Sequence, residues 1–210
     1  MIRIVIADDH AIVRQGLKKI LDENPDMQVV AEHVNGADAL RWVRANGCDV
    51  ALLDIAMPGL NGIDVLKQLH EEKPKLPILI LSIYPEEQYA VRLIKAGAAG
   101  YLTKESAPEI VTEAVRRVAA GKKYISATVA EMLANEFGAQ QGKQPHETLS
   151  DREYQIFLLL AAARTVSEIA SALSVSVKTV STYRTRILEK MRLRNNAELM
   201  RYAVEKHLME

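Results

Sequence analysis

Cysteine is almost absent from this 210-residue sequence, which contains only Cys48. A single cysteine excludes an internal disulfide, and such a residue is most often a small buried hydrophobic side chain. Long apolar runs are absent too, since the longest, residues 156–163, is far too short to span a bilayer. The N-terminus reaches Asp8 and Asp9 almost at once and lacks the pattern of a signal peptide. We therefore expect a cytoplasmic protein that does not enter a membrane.

Net charge is also absent, because 27 basic residues balance 27 acidic ones. The balance is uneven along the chain: residues 1–137 carry 16 Lys and Arg against 19 Asp and Glu, whereas residues 148–210 carry 10 against 7. Six of those ten basic residues fall between Lys178 and Arg194, where Glu189 is the only acid. Such a basic patch indicates contact with a polyanion, although a solvated helix face is the alternative.

The first part of the chain alternates short apolar segments with amphipathic ones, which predicts strands interleaved with helices. The predicted strands are Ile2–Ala7, Gln28–His33, Asp49–Leu53, Pro77–Leu81 and Gly100–Leu102. The predicted helices cover residues 11–22, 36–45, 62–72, 86–95 and 107–120. The spacing from Ser106 to Glu109 is that of a capping box, so Ser106 is expected to cap the fifth helix. The alternation predicts an α/β fold with a five-stranded, parallel, doubly wound sheet.

A polar segment without apolar periodicity, residues 138–147, is typical of a linker. The helix-like residues 126–137 precede it and are expected to form the exit from the first domain. Beyond the linker, capping signals start at Ser150, Thr165 and Ser176. They predict four helices, at residues 151–162, 166–173, 177–191 and 196–207. We therefore divide the chain into an α/β domain (1–125), an exit helix with a linker (126–147) and a small all-α domain (148–210).

Polar side chains follow the ends of four predicted strands. They are Asp8 with Asp9, Asp54, Ser82, and Thr103 with Lys104. The carboxyl ends of strands in a doubly wound sheet share one edge, so we expect these side chains to converge. Three carboxylates repel one another unless a cation holds them, and carboxylate oxygens suit Mg²⁺. A lysine and a hydroxyl there become useful only with an anion, and a phosphoryl group on the Asp54 carboxylate meets that demand.

Each of these residues also has an ordinary structural interpretation. The Asp8-Asp9 pair could cap a helix, Lys104 could be a surface lysine, and Ser82 could be a loop hydroxyl. Taken singly, that interpretation is favoured for each of them. Their joint occurrence at successive strand ends of one sheet favours a site.

Several segments together carry a resemblance to one family. Those of the first domain are IVIADDH (4–10), LLDIAMPGLNG (52–62), LS (81–82) and AAGYLTK (98–104), which are similar to receiver-domain motifs. The segment from LSDRE (149–153) through KTVSTYRTRILEKM (178–191) resembles a LuxR-type helix-turn-helix. In this order and spacing, the motifs resemble those of a two-component response regulator of the NarL/FixJ family. The resemblance implies a flavodoxin-like receiver domain and a four-helix DNA-binding domain.

The resemblance implies a role for each matching position of the receiver part. Asp54 is the implied phosphoacceptor, and Ser82 and Lys104 are implied to contact the phosphoryl oxygens. Tyr101 is the implied switch aromatic, which reorients on activation. One position departs from the pattern, because Glu105 stands where many receivers have a proline, often after a cis bond.

The implied cofactor is Mg²⁺. The resemblance assigns its binding to Asp9, Asp54 and the backbone carbonyl of Ala56, with Asp8 assisting.

The basic segment 177–191 divides into two sides on a helical wheel. One side is apolar and is expected to pack on the preceding helices; it carries Val177, Val180, Ile187, Leu188 and Met191. Arg184 projects nearer that side. The opposite side suits a recognition helix in a DNA major groove. The expected DNA contacts are Lys178, Thr179, Ser181, Thr182, Tyr183, Thr185 and Arg186. We expect Lys178 to contact phosphate, and Ser181 and Thr182 to contact bases.

The leading hypothesis is a transcription regulator that a sensor histidine kinase phosphorylates and that binds a double-stranded DNA operator as a homodimer. A metal-dependent phosphohydrolase with an Asp54 nucleophile is the rival. Such enzymes need a nearby general acid–base group, and Ala56 stands where haloacid dehalogenase-like phosphatases have a second aspartate. We therefore expect no enzyme, only a regulator that at most catalyses its own phosphoryl transfer and dephosphorylation. A regulator that binds DNA without phosphorylation is a third hypothesis.

Two further expectations concern the phosphorylated form. Activation should change the shape of the receiver at Ser82 and Tyr101 and favour dimerisation or release of the second domain, because a flexible linker cannot transmit a rigid push. The phosphorylated form should also be long-lived, because Ala56 and Tyr84, which would flank the hydrolytic water, offer no carboxylate or amide to orient it.

Overall fold

The computed structural model describes residues 1–138, 144–206, 208 and 209, and the chain divides into two compact units, Met1–Ala134 and Asn135–Glu210. The division falls inside the segment 126–147 that the sequence assigned to an exit helix and linker. Half of the predicted linker, residues 139–143, lies outside the described residues. Each unit is therefore considered by itself.

The first unit is built on a parallel sheet with the strand order β2-β1-β3-β4-β5. The strands are β1 (Ile2–Ala7), β2 (Met27–His33), β3 (Val50–Asp54), β4 (Ile78–Ser82) and β5 (Gly100–Thr103). All five predicted strands are confirmed, with ends displaced by at most one residue. The predicted α/β class and the parallel sheet are therefore correct.

Helices alternate with these strands and are also confirmed. They are α1 (Ala11–Asp22), α2 (Gly36–Asn46), α3 (Gly62–Glu72), α4 (Glu86–Lys95), α5 (Pro108–Ala119) and α6 (Ala127–Gly138). The predicted cap of α5 is wrong: Ala107 is the N-cap residue and makes no side-chain cap. The Ser106 hydroxyl lies instead 3.3 Å from that of Thr103, so a local hydroxyl pair replaces the capping box.

The buried centre of the sheet positions the polar strand ends. Every residue of β3 and β4 is buried, as expected for strands covered on both faces. The register places Asp54 beside Leu81 and Ser82 beside Thr103. At Gly62, an added Cβ would lie 2.0 Å from the Asp54 carbonyl oxygen, so only glycine lets α3 begin this close to the end of β3.

The second unit is helical. Its elements are a 3₁₀ turn (Pro145–Thr148), α7 (Asp151–Ala161), α8 (Val166–Ala172), α9 (Val177–Met191) and α10 (Asn196–Glu205). The helix caps predicted at Ser150 and Thr165 are confirmed, and each is part of a capping box with the glutamate three residues later. The Ser176 side chain accepts from the Thr179 N–H at the start of α9, as its position predicted. In the described part of the chain, we find no helix with the length and apolar character that a membrane crossing requires.

The core of this unit corrects one prediction about α9. Val180, Ile187 and Met191 are buried, as the wheel predicted, and Leu188 is half-buried. Val177 is 50% exposed, so its assignment to the packed side is wrong. The reason is its place at the very start of the helix, where the first turn, residues 176–178, is exposed throughout.

Candidate functional site

Three charged side chains from distant parts of the first unit meet at the carboxyl edge of the sheet. Asp54 ends β3, Asp8 follows β1 and Lys104 follows β5. The Lys104 Nζ lies 2.7 Å from Asp8 Oδ2 and 2.8 Å from Asp54 Oδ2. Asp8 and Asp54 are almost wholly buried, with 0% and 2% exposure. The lysine therefore lies between two carboxylates that water barely reaches.

The protonation of these groups follows from burial and from their mutual charges. Burial raises the pKa of Asp54, and the Asp8 charge adds to the increase, although the hydrogen bond from Lys104 opposes it. For Lys104, burial alone would lower the pKa, but the contacts with Asp54 and Asp8 outweigh it and raise the pKa. Burial and the neighbouring Asp8 thus disfavour the charge of Asp54, and the Lys104 ammonium compensates part of this cost.

The pocket has the donors that a divalent cation requires. One ligand atom from each of Asp8, Asp9, His10 and Asp54 lies within 4.8 Å of the others. The buried Asp8 Oδ2 faces the Lys104 ammonium at 2.7 Å. Carboxylate oxygens in such a cluster suit a hard ion such as Mg²⁺. The residues therefore fit a metal ion.

His10 is a member of this cluster that sequence analysis did not single out. Its Nδ1 lies 2.7 Å from Asp9 Oδ1 and 3.2 Å from Asp8 Oδ1. Its backbone N–H also donates to Asp8 Oδ1 at 2.8 Å, and the Arg14 guanidinium donates to the Asp8 carbonyl at 2.7 Å. The available signal was its position directly after the aspartate pair.

The other predicted site residues lie around the same edge. The Ala56 N–H donates to Asp54 Oδ1 at 3.2 Å, which places Ala56 beside the pocket, while the metal-binding role of its carbonyl stays a prediction. Ser82 is fully buried, and its Oγ accepts from the Tyr84 N–H at 3.0 Å. All described peptide bonds are trans, including the one before Glu105.

Tyr101 joins Ser82 to the loop that follows β4. Its side chain is buried, and its hydroxyl donates to the Tyr84 carbonyl at 2.8 Å. Burial raises the pKa of Tyr101 far above its ordinary value, which keeps the hydroxyl a donor. The Tyr84 ring packs on Tyr89 at a centroid distance of 5.2 Å. The predicted switch aromatic is therefore tied to the start of α4.

The segment after α5 is attached to the edge of the sheet, which sequence analysis did not predict. Tyr124 forms a parallel bridge with Gly100 of β5, where an added Cβ would lie 2.8 Å from the Tyr124 carbonyl oxygen. The Ser126 hydroxyl donates to Glu86 of α4 at 2.6 Å and accepts from the Val129 N–H at 3.2 Å. The beginning of α6 is thus held against α4.

In the second unit, none of the predicted DNA-contact residues of α9 is fully buried. Lys178, Ser181, Thr182, Thr185 and Arg186 are exposed, and Thr179 and Tyr183 are half-buried. An open groove on this helix is lined by Ser176, Lys178, Thr179, Thr182, Tyr183 and Arg186. Arg184 is half-buried and donates to Asn196 at the start of α10 at 2.7 Å, in agreement with its place nearer the apolar side.

Comparisons with known families match both units. Residues 4–116 match the family described as response regulator receiver domain, and residues 147–203 match the luxR family of bacterial regulatory proteins. The response regulator UvrY of Escherichia coli O6:H1 is 36% identical over 97% of this chain and 94% of its own. The oxygen regulatory protein NreC of Staphylococcus epidermidis is 39% identical over 99% of each chain.

A solved structure agrees with these matches. RcsB of Salmonella enterica serovar Typhimurium, bound to promoter rprA in the presence of phosphomimetic BeF₃⁻, is similar with a TM-score of 0.65 and 25% identity. The similarity covers 96% of this chain and 98% of that one.

Proposed function

This chain belongs to the two-component response regulators of the NarL/FixJ family, and from this premise we propose how its own residues carry the phosphorylation signal. It is a DNA-binding transcription regulator, in which a receiver domain implies a histidine kinase as phosphodonor and a LuxR-type domain binds DNA. The proposal concerns the phosphoacceptor, the metal ion, the route of the signal and the dimer.

Asp54 is the proposed phosphoacceptor. The observation that carries this is its buried carboxylate beside Lys104 at the end of β3. One carboxylate oxygen of Asp54 attacks the phosphorus of a phosphohistidine, an oxygen–phosphorus bond forms, the nitrogen–phosphorus bond breaks, and the imidazole nitrogen leaves with the electron pair. Lys104 then compensates the added negative charge. The Ser82 hydroxyl, at the end of the neighbouring strand β4, is proposed to donate to a phosphoryl oxygen.

Mg²⁺ is the proposed cofactor. Asp8, Asp9 and Asp54 would hold it, and the clustering of their oxygens supports this choice. When bound, the ion neutralises charge on the phosphoryl group during transfer. Its presence would also relieve the repulsion among the carboxylates.

The signal is proposed to leave the site through the loop after β4 and the start of α4. A phosphoryl group that engages Ser82 changes the environment of the Tyr84 N–H, and Tyr101 holds the same loop through the Tyr84 carbonyl. Glu86 begins α4 two residues later and accepts from Ser126, which in turn caps the start of α6. This chain of contacts gives the signal a route to the helix that leads out of the receiver.

The active form is proposed to be a homodimer on DNA. On α10, Leu199 and Ala203 are buried in the core, whereas Val204 is 56% exposed. The exposed valine supports a role of α10 in pairing with a second copy.

Incubation with acetyl phosphate and Mg²⁺ tests the phosphoacceptor. Intact-mass spectrometry should show one added phosphoryl group, which is lost in Asp54→Ala and in EDTA, and the labelled protein should bind DNA more tightly. Labelling of Asp54→Ala to the extent of the wild type would remove the assignment. Labelling that persists in EDTA would contradict only the proposed requirement for Mg²⁺.

A further inference from the structure

Val177 is an apolar side chain exposed where DNA binding is expected. It occupies the first position of α9, and it is 50% exposed, whereas Val180 three residues later is fully buried. Exposure of one valine needs no explanation in itself. Here it stands on the helix that carries every predicted DNA contact, directly before Lys178.

Two exposed rows run along α9, because residues four apart lie on nearly the same face of a helix. One row contains Val177, Ser181 and Thr185, and the other contains Lys178, Thr182 and Arg186; all six are exposed. The second row lines the open groove of α9, together with Ser176, Thr179 and Tyr183. The first row contributes none of the groove residues.

The two rows differ in chemistry. The row on the groove has two cations, Lys178 and Arg186, which are the kind of side chain that contacts DNA phosphates. The other row has no charge. Its Thr185 hydroxyl donates back to the Ser181 carbonyl at 3.2 Å, so it presents an acceptor and a methyl group outward. A neutral row of small side chains permits the close approach that base edges require.

We propose that the Val177 row reads the bases, and that Val177 itself contacts the C5-methyl group of a thymine in the major groove. The proposal rests on the proposed function in one respect, namely that α9 enters the groove. The thymine methyl is the apolar group that a base pair presents there. A valine has no polar atom to offer, so this methyl is the partner that its chemistry matches.

The proposal also reassigns Thr182. Sequence analysis placed it with Ser181 as a base contact, but it lies between Lys178 and Arg186 on the groove row. Thr182 therefore belongs to the phosphate side, and the base-reading residues are Val177, Ser181 and Thr185.

Replacement of thymine by deoxyuridine tests this contact, since deoxyuridine lacks only the methyl group. The phosphorylated full-length protein first selects its preferred site from a pool of random-sequence duplexes. That site is then synthesised with each thymine replaced in turn. At one thymine of each half-site the replacement should weaken wild-type binding about fourfold, the effect of burying one methyl group. Val177→Ala should bind the thymine and deoxyuridine duplexes equally.

Two further variants keep the result interpretable. Val34→Ala removes a valine of matching exposure from the first unit and should retain the full deoxyuridine penalty. Val177→Thr keeps one methyl group and should retain part of it. The proposal is overturned if Val177→Ala shows the wild-type penalty at every thymine, or if the wild type shows none. If the wild type enriches no sequence, the result would instead contradict the proposed sequence-specific DNA binding.

Discussion

Lys104 and Asp54 form a buried ion pair, with 2.8 Å between Nζ and Oδ2, although 50 residues separate them in the chain. Their side chains are 8% and 2% exposed. The same ammonium group lies 2.7 Å from Asp8 Oδ2. Removal of one partner of such a pair leaves an uncompensated buried charge. Loss of Lys104 alone is therefore expected to destabilise the receiver.

Lys104→Ala should lower the free energy of unfolding of the first unit by about 3–5 kcal/mol in EDTA, because Asp8 and Asp54 lose their cation. Mg²⁺ should restore more stability to this variant than to the wild type, since the ion supplies the missing positive charge. Urea unfolding followed by fluorescence of Trp42, the only tryptophan, measures both effects. Lys19→Ala, which alters an exposed lysine of α1, is the control. Equal losses with and without Mg²⁺ would show that Lys104 does not compensate the carboxylates.

Ala56→Asn should shorten the lifetime of the phosphorylated form roughly several-fold or more, because an amide beside Asp54 can orient the attacking water. Ala56 is half-buried and lies two residues after the phosphoacceptor Asp54. Tyr84, in the loop after β4, packs on Tyr89. Decay of the label is followed after the phosphodonor is removed. Tyr84→Ala tests whether the ring covers the approach of water. An unchanged decay rate in both variants would contradict the prediction that Ala56 and Tyr84 keep hydrolysis of the phosphorylated form slow.

Glu86→Ala should reduce the ratio of DNA affinities between the phosphorylated and unphosphorylated forms, while the extent of Asp54 phosphorylation stays unchanged. The variant removes the acceptor for Ser126 but leaves that hydroxyl as the cap of α6. Affinities are measured by fluorescence anisotropy of a labelled duplex. Glu87→Ala, on the next residue of α4, serves as the control. If Glu86→Ala keeps the wild-type ratio, the signal does not pass through this contact.

Lys178→Ala should weaken binding to specific and random duplexes equally and reduce the slope of log affinity against log salt by about one, as loss of one phosphate contact does. Thr182→Ala should also leave sequence preference unchanged. Ser181→Ala should alter preference among sites instead, by roughly 1–3 kcal/mol per lost base contact. Lys206→Ala, a basic residue just after α10, is the charge control. A change of sequence preference in Lys178→Ala or Thr182→Ala would contradict the division into two rows.

Glu153→Gln should destabilise α7 at neutral pH by about 1.5–3 kcal/mol, the value of a hydrogen bond to a charged group. Glu153 is buried, and its Oε2 accepts from Lys190 at 2.6 Å and from the Ser150 N–H at 2.7 Å. Burial would raise the pKa of Glu153, but these two partners outweigh it and lower the pKa below the ordinary 4.5. The stabilisation is therefore present above about pH 4.5 and is lost as the pH falls through the lowered pKa.

Hydrogen exchange of α7 peptides in the full-length protein, corrected for intrinsic rates, measures this loss. The difference between wild type and Glu153→Gln should be full at pH 7 and should shrink toward pH 3. Glu189→Gln changes an exposed carboxylate of α9 and should show little difference at either pH. A difference that is independent of pH would mean that the charge of Glu153 is not what stabilises α7.

Much of the secondary structure of this protein is determined by residues that are close in sequence. The run Val50 to Leu53 is apolar on both faces, which predicts a central strand wherever it lies in a sheet. Ser150 and Thr165 cap helices whose first turns they directly precede. Periodicity and capping act over a few residues, so the elements, their order and the polar strand ends were correctly predicted. Ser106 is the exception, because Ala107 and Pro108 offered an equally local alternative start.

Tertiary structure decided which of these residues meet. The position of Lys104 between Asp8 and Asp54, the contact of Ser126 with Glu86, and the inclusion of His10 in the acidic cluster depend on segments far apart in the chain. The exposure of Val177 likewise depends on where the first turn of α9 projects from its neighbours, whereas a helical wheel assumes that one side is covered along its whole length. Burial and ion pairing are set by whichever distant surface arrives, and sequence periodicity does not contain that information.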